Sequence, residues 1–224
     1  MKPANTGLEL ERVRFILFDL DGTLTDSIGL ILKTFRETLG ALGVPARSDA
    51  ELLSQVGRPL HIQMKDIDAE RSQELFETYQ RLYQEHHDEM PREFNGIKEV
   101  VAELKERGYR MAVVTSKRSS GTIRDLEYSG LQPYFDVVIS AEDTEKNKPD
   151  PEPVLKAMSR LAARSDEATY IGDSPFDIRC AHGAGISAGA VEWSFFPREV
   201  LEAEQPGYWI PTPRSLLDFF PGPP

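Results

Sequence analysis

One cysteine, Cys180, occurs in 224 residues. A disulfide within the chain is therefore impossible, and a reducing compartment is expected. No apolar run approaches the roughly 20 residues that a membrane-spanning helix needs. Positive charge is also scarce: 26 Lys and Arg stand against 37 Asp and Glu, for a formal net charge of −11. Such a chain repels nucleic acid and anionic lipid, so neither a nucleic acid nor a membrane is expected as a partner. Residues 1–7 contain no apolar signal-peptide core, which adds to the expectation of a cytoplasmic protein. In a chain this acidic, each lysine or arginine that faces an anion is informative.

Most of what is present alternates. Short apolar runs (Val13 to Phe18, Met111 to Val114, Val137 to Ile139, Ala168 to Ile171, Ser187 to Val191) are separated by helical patterns. In the helix after Gly96, Ile97, Val100, Val101 and Leu104 recur on one face. Strands alternating with helices imply right-handed crossovers and a parallel sheet covered on both faces. Between the first two strands lies a polar, helix-prone block without a convincing strand, broken at Val56-Gly57-Arg58-Pro59 and closed by Pro91. The expected fold is α/β: a three-layer, Rossmann-like core with a parallel sheet, formed by residues 1–26 and 92–224. Residues 27–91 form a small all-helical cap inserted after the first strand. The adjacent His86 and His87 point in different directions on a helix and are expected to be exposed. The tail is expected to fray after Phe219-Phe220.

Ligands of an open parallel sheet bind beyond the carboxyl ends of its strands. Asp19 and Asp21 follow the first strand, Thr115, Ser116 and Lys117 the second, Lys146 and Lys148 the third, and Asp173 and Asp177 the fourth. Carboxylates, hydroxyls and a lysine on one edge suit phosphoryl transfer to a carboxylate. A phosphate dianion and an attacking carboxylate repel each other, so cations must offset the charge. Mg²⁺ is a hard, oxygen-seeking ion that suits such a site. A lysine adds a fixed charge, and a second carboxyl can protonate the leaving oxygen.

With Asp19-Leu20-Asp21-Gly22-Thr23-Leu24, Thr115, Lys148-Pro149-Asp150-Pro151 and Asp173 in this order, the chain resembles the haloacid dehalogenase-like hydrolases with a helical cap. The resemblance covers about residues 8–26 and 94–212. It implies Asp19 as nucleophile, Asp21 as general acid/base, and Thr115, Ser116 and Lys148 as substrate-binding residues at the transferred phosphate, with Lys148, the family lysine, preferred over Lys146. It further implies Mg²⁺ held by Asp19, Asp173 and the main-chain carbonyl of Asp21, with Asp177 in the outer shell. The second aspartate favours phosphatase over dehalogenase. Phosphoglycolate phosphatases and related bacterial pyrophosphatases look most similar, and Ser116 stands where many members carry Asn.

The implied activity is Mg²⁺-dependent release of phosphate from a small phosphorylated metabolite through an aspartyl-phosphate, by a monomer or homodimer. The cap is implied to select the substrate, with Arg58 a candidate for an anionic leaving group and Lys117 a candidate for phosphate. A sugar phosphomutase and a non-enzymatic phosphometabolite sensor are the alternatives.

Overall fold

The structure is a computed structural model and describes residues 10–89 and 94–223. Met90 and Pro91, expected to close the helical block, and the first nine residues lie outside that range.

The central strand β1 (Phe15–Phe18) is buried along its whole length, as an unbroken apolar run in a two-sided parallel sheet should be. Ile16, Leu17 and Phe18 are each fully shielded from solvent, worth about 1.5–3 kcal/mol apiece. Five more strands follow: β2 (Arg110–Val114), β3 (Val137–Ile139), β4 (Ala168–Gly172), β5 (Ser187–Val191) and β6 (Tyr208–Ile210). The order is β3-β2-β1-β4-β5-β6 and every pairing is parallel. The chain runs outward from β1 to β3, then crosses back to place β4 on the other side of β1. That reversal opens a crevice at the carboxyl end of β1.

Helices α1 (Ile28–Ala41), α2 (Asp49–Leu53), α3 (Leu60–Ile67) and α4 (Ser72–His86) fill the interval between β1 and β2. They bury one another around Leu30, Phe35, Leu52, Met64, Leu75 and Tyr79, an apolar cluster separate from the two that flank the sheet. On one sheet face lies α5 (Ile97–Glu106), whose buried residues are the expected Ile97, Val100, Val101 and Leu104. Leu126 of α6 (Ser119–Tyr128) joins the same cluster. The other face is covered by α7 (Glu152–Leu161), α8 (Pro175–Gly183) and Leu201 of α9 (Arg198–Glu202). Cys180 is fully buried on α8, a small apolar packing residue.

Three expectations need correction. Ser187 to Val191 is not the last strand, because β6 pairs with it. The described tail, to residue 223, is tied down past its aromatic pair: Phe220 is buried among the core residues, and the Gly222 N–H donates to Tyr109 OH at 3.1 Å. The side chain of His87 is only 1% exposed and that of His86 18%, so neither is an exposed histidine.

Candidate active site

Directly after β1 the chain bends sharply. Asp19 N–H still bonds to Ile171 O of β4 at 2.9 Å, which keeps Asp19 in strand register. Gly22 then turns with φ of +85°, and the N–H groups of Leu24 and Thr25 both return to Leu20 O at 2.9 Å. A side chain at position 22 would be strained by that φ. It would also have no room, since a Cβ there would lie 2.2 Å from Asp173 Oδ2. The bend thus lets the turn after β1 pass directly against Asp173, which follows the paired strand β4.

Lys148 reaches this point from the loop before α7 and is almost fully buried. Its ammonium donates to Asp19 Oδ1 (2.7 Å), Asp177 Oδ1 (2.6 Å) and Tyr170 OH (3.2 Å). Three N–H bonds are all that a lysine has. Burial by itself would lower its pKa, but Asp177 and Asp19 outweigh that and hold the ammonium charged. Lys146, the sequence's other candidate, points to solvent with 72% of its side chain exposed, beside Asp150 at 3.6 Å.

Asp177 has both oxygens committed. Oδ1 also accepts from Tyr170 OH (3.0 Å), while Oδ2 accepts from Ser174 N–H (3.0 Å) and Ser174 Oγ (2.6 Å) in the capping box of α8. Asp173 differs. Its Oδ1 accepts from Thr23 Oγ1 at 3.3 Å, but Oδ2 is buried without a hydrogen-bond partner among the described residues. Burial pushes the Asp19 carboxyl up to about 7, against the pull of Lys148, with Asp177 and Asp21 adding repulsion. Burial and the repulsion of Asp19 and Asp177 drive Asp173 well above the usual carboxylate range.

One oxygen each of Asp19, Asp173 and Asp177 fall within 4.8 Å of one another, a cluster that could hold a metal ion. Three buried carboxylates face one ammonium, and an excess of that kind is costly unless a cation offsets it. The orphaned Asp173 Oδ2 and the all-oxygen donor set fit a hard divalent ion such as Mg²⁺.

Asp21 sits at the edge of the same crevice, its Oδ1 accepting from Ser27 Oγ (2.5 Å) and Lys117 Nζ (2.7 Å). Thr115, at the end of β2, is buried and its Oγ1 accepts from Lys117 N–H at 3.1 Å. Ser116 Oγ beside it is buried with no partner among the described residues. Asp19, Asp21, Thr115, Ser116 and Lys148 line a cavity of about 160 Å³ whose opposite wall comes from the helical layer, including Phe35, Val56, Tyr79 and Tyr83. Arg58 also lines it, but its guanidinium is held by Asp66 Oδ2 at 2.7 Å and by Gln55.

Two groups of residues escaped sequence reasoning. Tyr170, which orients both Lys148 and Asp177, reads in the sequence only as a strand residue. Tyr83, His87 and Asp125 gather around Lys117. Leu75, Tyr79, Tyr83 and His87 follow at four-residue intervals, the spacing of one helix face, which was the available signal.

Residues 16–191 match the family profile described as haloacid dehalogenase-like hydrolase. A Caldanaerobacter subterraneus subsp. tengcongensis protein provisionally named pyrophosphatase PpaX is 40% identical over 212 residues, 94% of this chain and 96% of its own length. Pyrophosphatase PpaX of Bacillus cereus strain B4264 is 35% identical over 206 residues, 92% of this chain and 95% of that one. Among solved structures, a provisionally named phosphoglycolate phosphatase from Lactobacillus plantarum superposes with a TM-score of 0.83 at 26% identity, covering 93% of this chain and 99% of that one.

Proposed function

The chain belongs to the haloacid dehalogenase-like hydrolase family, and from that premise we propose that it is a Mg²⁺-dependent phosphohydrolase of small phosphorylated metabolites. Asp19 is the nucleophile and Asp21 the general acid/base. An Asp19 oxygen attacks phosphorus while the bond to the leaving oxygen breaks, and Asp21 gives that oxygen a proton. Asp21 then takes a proton from water, which attacks the phosphorus of the aspartyl-phosphate. Inorganic phosphate leaves and the Asp19 carboxylate is restored.

Asp19, Asp173 and the main-chain carbonyl of Asp21 would hold Mg²⁺, which supplies charge stabilisation for the transferring oxygens. Asp177 aims Lys148 from behind. With its three N–H groups occupied, Lys148 acts by fixing Asp19 more than by binding substrate. Thr115 and the unpartnered Ser116 Oγ suit the phosphate oxygens. Residues 27–91 serve as the substrate-selecting cap, with Arg58 on its wall, and 1–26 with 92–224 as the core.

The observation that carries this reading is the buried set at the end of β1: Asp19 held at 2.7 Å by Lys148, beside an Asp173 oxygen with no partner. The relatives' names favour a phosphoanhydride such as pyrophosphate, and the solved neighbour's name a small phosphomonoester such as phosphoglycolate. Phosphate release from pyrophosphate, phosphoglycolate and hexose phosphates, with Mg²⁺ and with EDTA, tests the reading. Mg²⁺-dependent release from at least one supports it, and release from none refutes it.

A further inference from the structure

Two lysines of this site are held in the same way. Lys148 bonds to Asp19, to a second buried carboxylate (Asp177) and to a tyrosine hydroxyl (Tyr170). Lys117 bonds to Asp21, to a second buried carboxylate (Asp125) and to a tyrosine hydroxyl (Tyr83, 2.9 Å). All three N–H groups of Lys117 are thereby used, leaving none for a substrate oxygen. Asp125 in turn is 1% exposed, its Oδ1 lying 2.7 Å from His87 Nε2, and it is not part of the cavity wall. Burial raises its carboxyl pKa, but Lys117 and His87 outweigh that and bring it below the ordinary carboxylate range. Tyr83 OH donates a longer bond to the same carboxylate at 3.4 Å.

Resting on the phosphohydrolase reading, we propose that Asp125 is a positioning residue for the acid/base step, holding Lys117 against Asp21 with Tyr83 and His87 as its supports. Lys117 places a fixed cation beside the charge that Asp21 gains as it gives its proton to the leaving oxygen, and fixes the carboxyl by one oxygen. Tyr83 lies on α4 and His87 in the turn after it, whereas Asp125 lies on α6 and Lys117 just after β2. The acid/base group is therefore set jointly by the core and the inserted helices, while the nucleophile is set by the core alone. Buried networks of this sort are rigid when every member is satisfied.

The test compares kcat and KM of wild-type, Asp125→Asn and Tyr83→Phe proteins on two esters. The leaving group of p-nitrophenyl phosphate departs without a proton, whereas that of phosphoglycolate needs one. Asp125→Asn should lower kcat/KM on phosphoglycolate about tenfold or more, part of the span general acid catalysis supplies. That ratio covers only the step that releases the leaving group, whereas kcat also contains the hydrolysis of the aspartyl-phosphate that both esters share. The variant's kcat/KM on p-nitrophenyl phosphate should change less than about threefold. Tyr83→Phe should shift the same ratio in the same direction by less, and carries the test if Asp125→Asn does not fold. Equal losses of kcat/KM on both esters would reduce the network to a structural tie and overturn the proposal. A raised KM at unchanged kcat on both esters would also overturn it, by making Lys117 a substrate ligand. Wild-type protein inert towards both esters is a different result: it refutes the monoesterase reading, and this proposal falls with it.

Discussion

Gly22 and Asp173 approach so closely that a Cβ on Gly22 would stand 2.2 Å from Asp173 Oδ2, the carboxylate oxygen left without a partner. One glycine thus allows the turn after β1 and clears the space that a divalent ion is proposed to share. Gly22→Ala should displace Asp173 by an ångström or so. Misplacements on that scale cost on the order of 100-fold in rate. Measured kcat/KM within about threefold of wild type would show that the close approach does not matter.

Asp19→Asn separates chemistry from stability. The substitution removes the proposed nucleophile, so turnover should fall by about 10³-fold or more, as it does when a covalent nucleophile is deleted. It also removes one of three crowded buried carboxylates, whose mutual repulsion contributes to the raised pKa values of Asp19 and Asp173. In EDTA the melting temperature should therefore be unchanged or higher. A clear drop in melting temperature would mean that the bond to Lys148 matters more than the repulsion.

Lys148→Met is expected to behave oppositely. It strands Asp19 and Asp177 in a buried setting without their cation. Breaking a buried pair in this way costs about 3–5 kcal/mol. Urea unfolding should show that loss, and a loss below about 1 kcal/mol would place the lysine's energetic weight elsewhere.

Cys180, one helical turn after Asp177 on α8, offers a probe of how tightly that helix stays closed. Burial pushes its thiol up to about 12, and its Sγ donates to Asp150 O at 3.0 Å. The thiolate is the reactive form, so a disulfide reagent should leave the folded protein unmodified near neutral pH and label it once urea has unfolded it. Rapid labelling of the native protein would show that α8 opens readily.

The parts of the fold that could be read in the sequence are those with long-enough patterns. The buried run of β1 and the helix face of Ile97, Val100, Val101 and Leu104 carry their own periodicity. Tyr208–Ile210 is three residues long, too short for any period, and exists because β5 offers it an edge. That Asp19, Asp21, Thr115 and Asp173 gather around the β1 end followed from the strand ends, since a parallel sheet brings them there, whereas the choice of Lys148 over Lys146 rested on the family resemblance. Lys117's partners did not, because Tyr83 and Asp125 are 42 positions apart and meet only once α4 packs near α6. His87 was misread for the same reason: adjacency to His86 argued against a metal pair but said nothing about which neighbour would cover it.

The covalent step is the centre of the account, and it can be caught directly. Protein quenched in acid during turnover with Mg²⁺ and substrate, then reduced with borohydride, should carry homoserine at position 19 in peptide mass maps, since an acyl phosphate is reduced where a free carboxylate is not. Conversion confined to position 19, and absent without substrate, is the predicted result. Active turnover with residue 19 unaltered, or with the modification at another carboxylate, would contradict the assignment of Asp19 as nucleophile.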